Sequence, residues 1–210
     1  MKIIDQSWEW VQKPAAPLEV IERAGRTCYK SEGAIGPGSA EKFARMLVRS
    51  GHESVIEHAV ASIRFITNRG VTHELVRHRL SSFSQESTRY VRYKDRMEFI
   101  RPVWWNEWSQ EERDIWEDAM SQAESAYKFL LKQGSRPEQA REVLPNSLKT
   151  EIVMTANLRE WRSVFSLRCA KGAHPQIRVL MLECLQGFAE EIPIIFDDLA
   201  EKYVSFRKEG

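Results

Sequence analysis

The chain has 210 residues, with 31 Lys and Arg against 30 Asp and Glu and 42% hydrophobic residues. A net charge of +1 excludes a histone-like polycation or an acidic disordered chain, and seven Trp, nine Phe and five Tyr are far too many apolar anchors for disorder. Three cysteines, Cys28, Cys169 and Cys184, with no C-x-x-C, form neither a disulfide framework nor a zinc ribbon, which predicts a reducing, cytoplasmic setting.

In chain order, Asp5 and Glu9 interrupt any secretory apolar region, and no apolar run approaches the ~18 residues of a membrane span. Leu18 to Tyr29 reads as a helix, followed by a Gly/Pro loop from Ser31 to Gly38. Ser39 opens a second helix that reaches Ser50 and is stopped by Gly51. Ala59–Thr67 fits a strand, because Ile63 and Phe65 alternate with Arg64 and Ile66. Gly70 precedes a short helix running to Arg79, with Val71, Leu75 and His78 facing the core. Ser109 and Glu112 form a capping box for a long helix, whose stripe reads Ile115, Ala119, Ala123, Ala126, Tyr127 and Leu130 before Gly134 ends it. Ser135 and Glu138 suggest a second box and a short helix. Leu148–Ala156 is a second strand, Asn157 caps a helix from Leu158 to Ala170, and Pro175 starts another to Glu190. The expected fold is one mixed α/β domain over residues 1–210, α+β-like, mostly helical with a small central sheet.

Charge is segregated along this chain. Arg64 to Arg101 carries nine bases against four acids, and Arg141 to Arg178 carries seven against three. Glu107 to Glu124 has seven acids and one base, and Glu183 to Glu201 six acids and none. Two basic stretches could converge on a phosphate-bearing ligand, or the acidic helices could simply be solvated faces.

Several motifs fail on physical grounds. Gly33-Ala-Ile-Gly36-Pro-Gly38 follows a helix, not a strand, and lacks G-x-G-x-x-G order. His73 and His78 are five apart, so on a helix their imidazoles diverge and cannot share a metal; no metal site is expected. There is no G-x-S-x-G, and Cys28 and Cys184 read as helix packing residues.

Arg77 to Tyr90 packs three arginines, four serines and a histidine into fourteen residues, a supply of donors for phosphate and ribose oxygens. A solvated arginine-rich loop is the alternative. Arg168 falls at i+7 from Trp161, with Val164 and Phe165 between them on the same stripe, so it needs an acidic, carbonyl or anionic-ligand partner.

The segment Arg77-His78-Arg79-x-x-Ser82-x-x-x-x-Ser87-x-Arg89-Tyr90 resembles the signature of the flavin-dependent thymidylate synthases, departing from it at Ser84, where Asn is usual. Arg26-Thr-Cys-Tyr-Lys-Ser31, Gly51-His-Glu-Ser-Val-Ile-Glu-His58, Arg141-Glu-Val-Leu-Pro145, Asn157-Leu-Arg159 and Leu167-Arg168 extend the similarity over most of the chain. The resemblance implies reductive methylation of dUMP to dTMP, with methylenetetrahydrofolate giving the carbon and NADPH-reduced FAD the hydride. It implies a homotetramer with the flavin between subunits. It places Ser54, Arg77, His78, Arg79, Asn157 and Arg159 at the flavin, with Ser163 where an amide is frequent and His52 nearby. Glu74, Arg77, Ser87, Arg89 and Arg141 fall at the nucleotide, and Gln85 at either ligand. Arg168 is implied to contact the uracil ring and favour ionisation at N3, so that C5 becomes nucleophilic without an enzyme thiolate.

A competing reading is a nucleic-acid-binding module, since Arg89-Tyr90-Val-Arg92-Tyr93-Lys94 interleaves bases with aromatics. Near-zero net charge weakens it, and neither a nucleic acid nor a membrane is an expected partner.

Overall fold

The computed structural model describes residues 1–204. Short strand β1 (Lys2–Ile4) is followed by β2 (Ser7–Gln12), helices α1 (Pro17–Thr27) and α2 (Ser39–Ser50), a 3-10 turn over Glu53–His58, and β3 (Val60–Asn68). Then come α3 (Arg69–Leu75), β4 (Ser81–Gln85), β5 (Glu98–Ile100), α4 (Gln110–Lys132) and α5 (Pro137–Ala140). The series closes with β6 (Lys149–Asn157), α6 (Leu158–Arg168), α7 (Pro175–Glu191) and α8 (Pro193–Tyr203). The mixed, mostly helical α/β class is as expected. No helix among the described residues is long and apolar enough to cross a membrane.

The chain divides into two compact units. The first comprises residues 1–8, 64–77 and 83–153; the second comprises 9–63, 78–82 and 154 onward. A four-stranded sheet has the order β2-β3-β6-β4, and each of these strands contributes residues to both units. In the first unit β1 and β5 pair in parallel, with Ile3 opposite Phe99. Its core gathers Met97, Phe99, Met120, Tyr127, Ala140 and Leu148. In the second unit Trp161, Phe165, Phe188 and Phe196 are fully buried. Their ring centroids lie 5.0–5.8 Å apart, and Trp10 adds a contact to Phe188 at 4.6 Å. Each such pair contributes about 0.5–1.5 kcal/mol beyond its buried area. The Trp161 indole N–H donates to the Ala61 carbonyl, so the largest core side chain leaves no polar group unpaired.

Three of the end signals acted as read. Ser109 and Glu112 close a reciprocal box on α4, and Asn157 accepts from the Glu160 N–H at 2.8 Å to start α6. Gly51 takes φ +70° after α2, where its N–H reaches back to the last-turn carbonyls.

Five expectations need correcting. First, α1 stops at Thr27, so Cys28 is an exposed cap rather than a packing residue. Second, α3 ends at Leu75, four residues early; His78 is buried, but from the turn that follows. Third, the α4 stripe is right at Tyr127 and Leu130 but wrong at its start: Ile115 is 64% exposed, while Trp116, Met120 and Leu131 join the core. That series offers much larger side chains than the alanines at 119, 123 and 126, and burial follows area. Fourth, the second box is shifted by one, the Arg136 N–H donating to Gln139 Oε1. Fifth, the arginine–serine segment is not a loop throughout, because Ser81–Gln85 is strand β4.

Candidate functional site

The expected ligand residues sort by unit. Glu74, Arg77, Gln85, Ser87, Arg89 and Arg141 lie in the first unit; Ser54, His78, Arg79, Asn157, Arg159, Ser163 and Arg168 lie in the second.

In the first unit a cavity of about 240 Å³ is lined by Arg69, Thr88, Arg141, Leu144, Pro145 and Asn146, with Glu142 at its side. Arg69 stands at the start of α3, which Asn68 caps by accepting from the Val71 N–H. Its Nη1 is buried and has no hydrogen-bond partner among the described residues. Arg141 is exposed, and its contact with Glu142 is long, at 3.7 Å. Two guanidinium groups therefore meet at one cavity with little neutralising charge, an arrangement suited to a compact anion. Thr88, buried at this wall, sits between Ser87 and Arg89 in the chain. Arg89 turns to Glu138 at 3.2 Å and stacks on the exposed ring of Tyr90. Gln85 is held by strand β4, its amide donating to Thr72 and Thr150 hydroxyls at 2.9 and 3.3 Å.

Tyr93 does not join Tyr90 as a stacking platform. It packs on Tyr127 and donates to Glu86 at 2.6 Å. The aromatics of Arg89–Lys94 therefore do not form one exposed row for nucleic-acid bases.

In the second unit a cleft of about 520 Å³ is lined by Glu53, Glu57, Asn157, Arg159, Glu160 and Ser163, with Leu80, Arg162 and Ser166 completing it. A second hollow of about 410 Å³ shares Glu57, Leu80 and Asn157 with it and adds Arg79, Ser81, Ser82 and Thr155. Arg79, Asn157, Arg159 and Ser163 thus converge from a turn, a strand end and a helix on adjoining hollows. Arg79 and Arg77 are exposed and make no ion pair among the described residues. Arg159 is paired with Glu57 at 2.5 Å. Ser54 is exposed on the 3-10 turn over Glu53–His58, and His52 is exposed just before it. Neither lines these hollows.

Arg168 is half-buried at the end of α6, and its Nε donates to His78 Nε2 at 3.0 Å. His78 is 6% exposed; burial, aided by the neighbouring Arg168 charge, lowers its pKa from 6.5 to about 4. The imidazole is neutral at physiological pH and can accept from the guanidinium. Burial likewise pushes the Glu160 carboxyl upward.

Sequence reasoning missed Arg162, although the same periodicity marks it. Leu158, Trp161, Arg162 and Phe165 fall at i, i+3, i+4 and i+7, and all four are buried. Arg162 meets Asp198 through two N–H···O bonds of 2.8 and 2.7 Å, Glu53 at 2.9 Å, and the Ile195 carbonyl. Arg162 is thus an ion-paired arginine on the buried face of α6. Arg69 carries no comparable signal in the sequence, because only the fold closes a cavity over it.

Burial pushes the Cys169 thiol up to about 12 and the Cys184 thiol well above its ordinary range. Neither is a thiolate near neutrality. No group of three or more His, Cys, Asp or Glu among the described residues is placed to hold a metal ion.

The sequence matches the family described as thymidylate synthase complementing protein over residues 10–194. The flavin-dependent thymidylate synthase of Mycobacterium tuberculosis is 37% identical over 208 residues, an alignment covering 90% of this chain and 82% of that protein. The flavin-dependent thymidylate synthase of Geobacter sulfurreducens is 34% identical over 196 residues, covering 90% and 84%. Among solved structures, a UMP/dUMP methylase, PolB from Streptomyces cacaoi bound with 5-Br dUMP, has the same fold with a TM-score of 0.80 and 25% identity. That likeness covers 94% of this chain and 96% of the other.

Proposed function

Because the chain belongs to the thymidylate synthase complementing protein family, we propose that it is a cytoplasmic flavin-dependent thymidylate synthase that methylates dUMP to dTMP. The observation that carries this reading is the convergence of Arg79, Asn157, Arg159 and Ser163 on adjoining hollows of one unit. These are the positions that the signature resemblance assigns to the flavin.

The residues there fit FAD. Arg79 has no competing ion pair among the described residues, Asn157 keeps an amide donor after its oxygen caps α6, and Ser163 is exposed on the cleft wall. Guanidinium and amide donors suit a pyrophosphate, and hydroxyls suit a ribityl chain. Ser54, Arg77, His78 and Gln85 complete the set implied by the signature. A bound FAD, reduced by NADPH, would supply the hydride that completes the methyl group taken from methylenetetrahydrofolate.

What remains is done by the chain's own side chains. Arg69 and Arg141 hold the nucleotide phosphate, with Ser87 and Arg89 as further donors and Glu74 and Arg77 at the rest of the nucleotide. Arg168, oriented by its hydrogen bond to neutral His78, presents its guanidinium to the uracil ring. Positive charge there favours loss of the N3 proton and spreads electron density toward C5, which then attacks the one-carbon donor. The protonated state of Cys169 and Cys184 favours this non-covalent route over thiolate attack. The functional assembly is a homotetramer.

The test is NADPH oxidation by the purified protein supplied with FAD, methylenetetrahydrofolate and dUMP. The expected result is oxidation coupled to stoichiometric dTMP. A protein that takes up no FAD, or that forms no dTMP when loaded, overturns the reading.

A further inference from the structure

Three carboxylates line the cleft of the second unit, and two are matched by arginine. Glu57 pairs with Arg159, and Glu53 with Arg162. Glu160 has no Lys or Arg within 4.0 Å among the described residues. Its Oε1 instead lies 3.4 Å from His78 Nδ1, and both side chains are nearly solvent-free, at 10% and 5% exposure. On the other side of the same imidazole, Nε2 accepts from Arg168 Nε at 3.0 Å.

An imidazole that accepts at Nε2 while neutral carries its proton on Nδ1. In a buried site that N–H needs an acceptor, and the Glu160 carboxylate, 3.4 Å from Nδ1, is the Asp or Glu nearest to it among the described residues. Removing the acceptor frees the ring to move its proton to Nε2, where it would oppose the Arg168 N–H head-on. We propose that Glu160 is a positioning residue, which fixes the Nδ1–H tautomer of His78 and thereby holds the Arg168 guanidinium in the plane it presents to substrate. The logic is that of a carboxylate orienting a histidine through its far nitrogen, applied here to an arginine one bond further on. Only the role given to Arg168 rests on the proposed function; the tautomer assignment stands on geometry alone.

The test uses the full chain with ¹⁵N-labelled histidine. His78 is identified among the five histidines by the signal lost in a His78→Asn variant. The expected wild-type spectrum shows a protonated Nδ1 and an unprotonated Nε2, and Glu160→Ala shifts the ring to a mixture of tautomers. Glu160→Gln keeps the wild-type pattern, because its amide oxygen is an acceptor of the same reach. In the dTMP assay, kcat falls about tenfold or more in Glu160→Ala, as expected for a misplaced catalytic group. Glu160→Gln restores most of the rate. An Nε2–H tautomer in the wild type, a Glu160→Ala spectrum identical to it, or equal loss of rate in both variants overturns the proposal. If the wild type makes no dTMP, the proposed function fails, while the tautomer spectrum still decides this inference.

Discussion

The two units use arginine in opposite ways. In the first, among the described residues, Arg69 has a buried Nη1 without a partner and Arg141 a long 3.7 Å contact with Glu142, so two guanidinium groups and one carboxylate leave the cavity net positive. In the second, Arg159 and Arg162 are matched by Glu57, Glu53 and Asp198. An anion entering the first cavity meets one buried guanidinium nitrogen of Arg69 and the exposed guanidinium of Arg141. An anion entering the second must exchange places with a carboxylate. The difference separates a compact phosphate site from an extended cofactor cleft more clearly than the count of arginines does.

The comparison can be broken at several points. The largest effect is expected at Arg168: replacement by Ala removes charge at the reacting ring and lowers kcat by about 10²–10³-fold, while FAD loading persists. An Arg168→Ala enzyme with unchanged kcat would remove this residue from the chemistry. Arg162→Ala, in contrast, leaves Asp198, Glu53 and the Ile195 carbonyl unmatched and costs about 3 kcal/mol of stability in denaturant unfolding. The solvent-exposed Arg159→Ala weakens FAD binding without lowering stability, so equal stability losses at these two positions would erase the distinction drawn within the cleft. In the first unit, Arg69→Ala raises KM for dUMP by about 10–100-fold through loss of a charge-assisted contact, with FAD affinity intact. A KM change confined to Arg141 variants would leave Arg69 a structural residue.

Smaller effects come from pH. The folded chain protonates His78 only near pH 4, whereas the unfolded chain does so near 6.5. The unfolded state therefore binds more protons between these values, and stability falls as pH drops through that window. Glu160, raised by burial, takes up its proton earlier when folded and partly opposes the loss. Unfolding midpoints measured from pH 7 to pH 4 should fall less steeply in His78→Asn than in the wild type. A steeper fall in the variant contradicts a buried neutral imidazole. The smallest effect is expected at the thiols: Cys28→Ala, Cys169→Ala and Cys184→Ala should each retain substantial dTMP synthesis. Complete loss in one that folds and binds FAD would restore a covalent route.

Local rules carried most of the elements. Capping by Ser109 and Asn157, the stop at Gly51, and the alternation in β3 and β6 act within a few residues, so they are visible in one dimension. The pattern of α8, with Pro193 at its start and Ile195, Phe196 and Leu199 buried, is equally local, although the acids of Glu183–Glu201 mask it as a charged stretch. Strands β1 and β5, three residues each, have no local signature; they exist because they pair with each other across 96 positions. The α4 stripe was misread because periodicity gives a face to within one residue, and only packing against Met97, Phe99 and Leu148 chose Trp116 and Met120 over Ile115 and Ala119.

The class of fold, the signature from Arg77 to Tyr90 and the place of Arg168 on an apolar stripe are all legible along the chain. These depend on residue type and short-range spacing, which the chain carries without folding. The fold chose which groups surround each arginine. Arg162 and Arg168 share one helix and similar patterns, yet one is closed by Asp198 and Glu53 and the other is linked through His78 to Glu160. A guanidinium takes its role from the charges within about 4 Å of it, where Coulomb interactions dominate, and those neighbours come from distant parts of the chain.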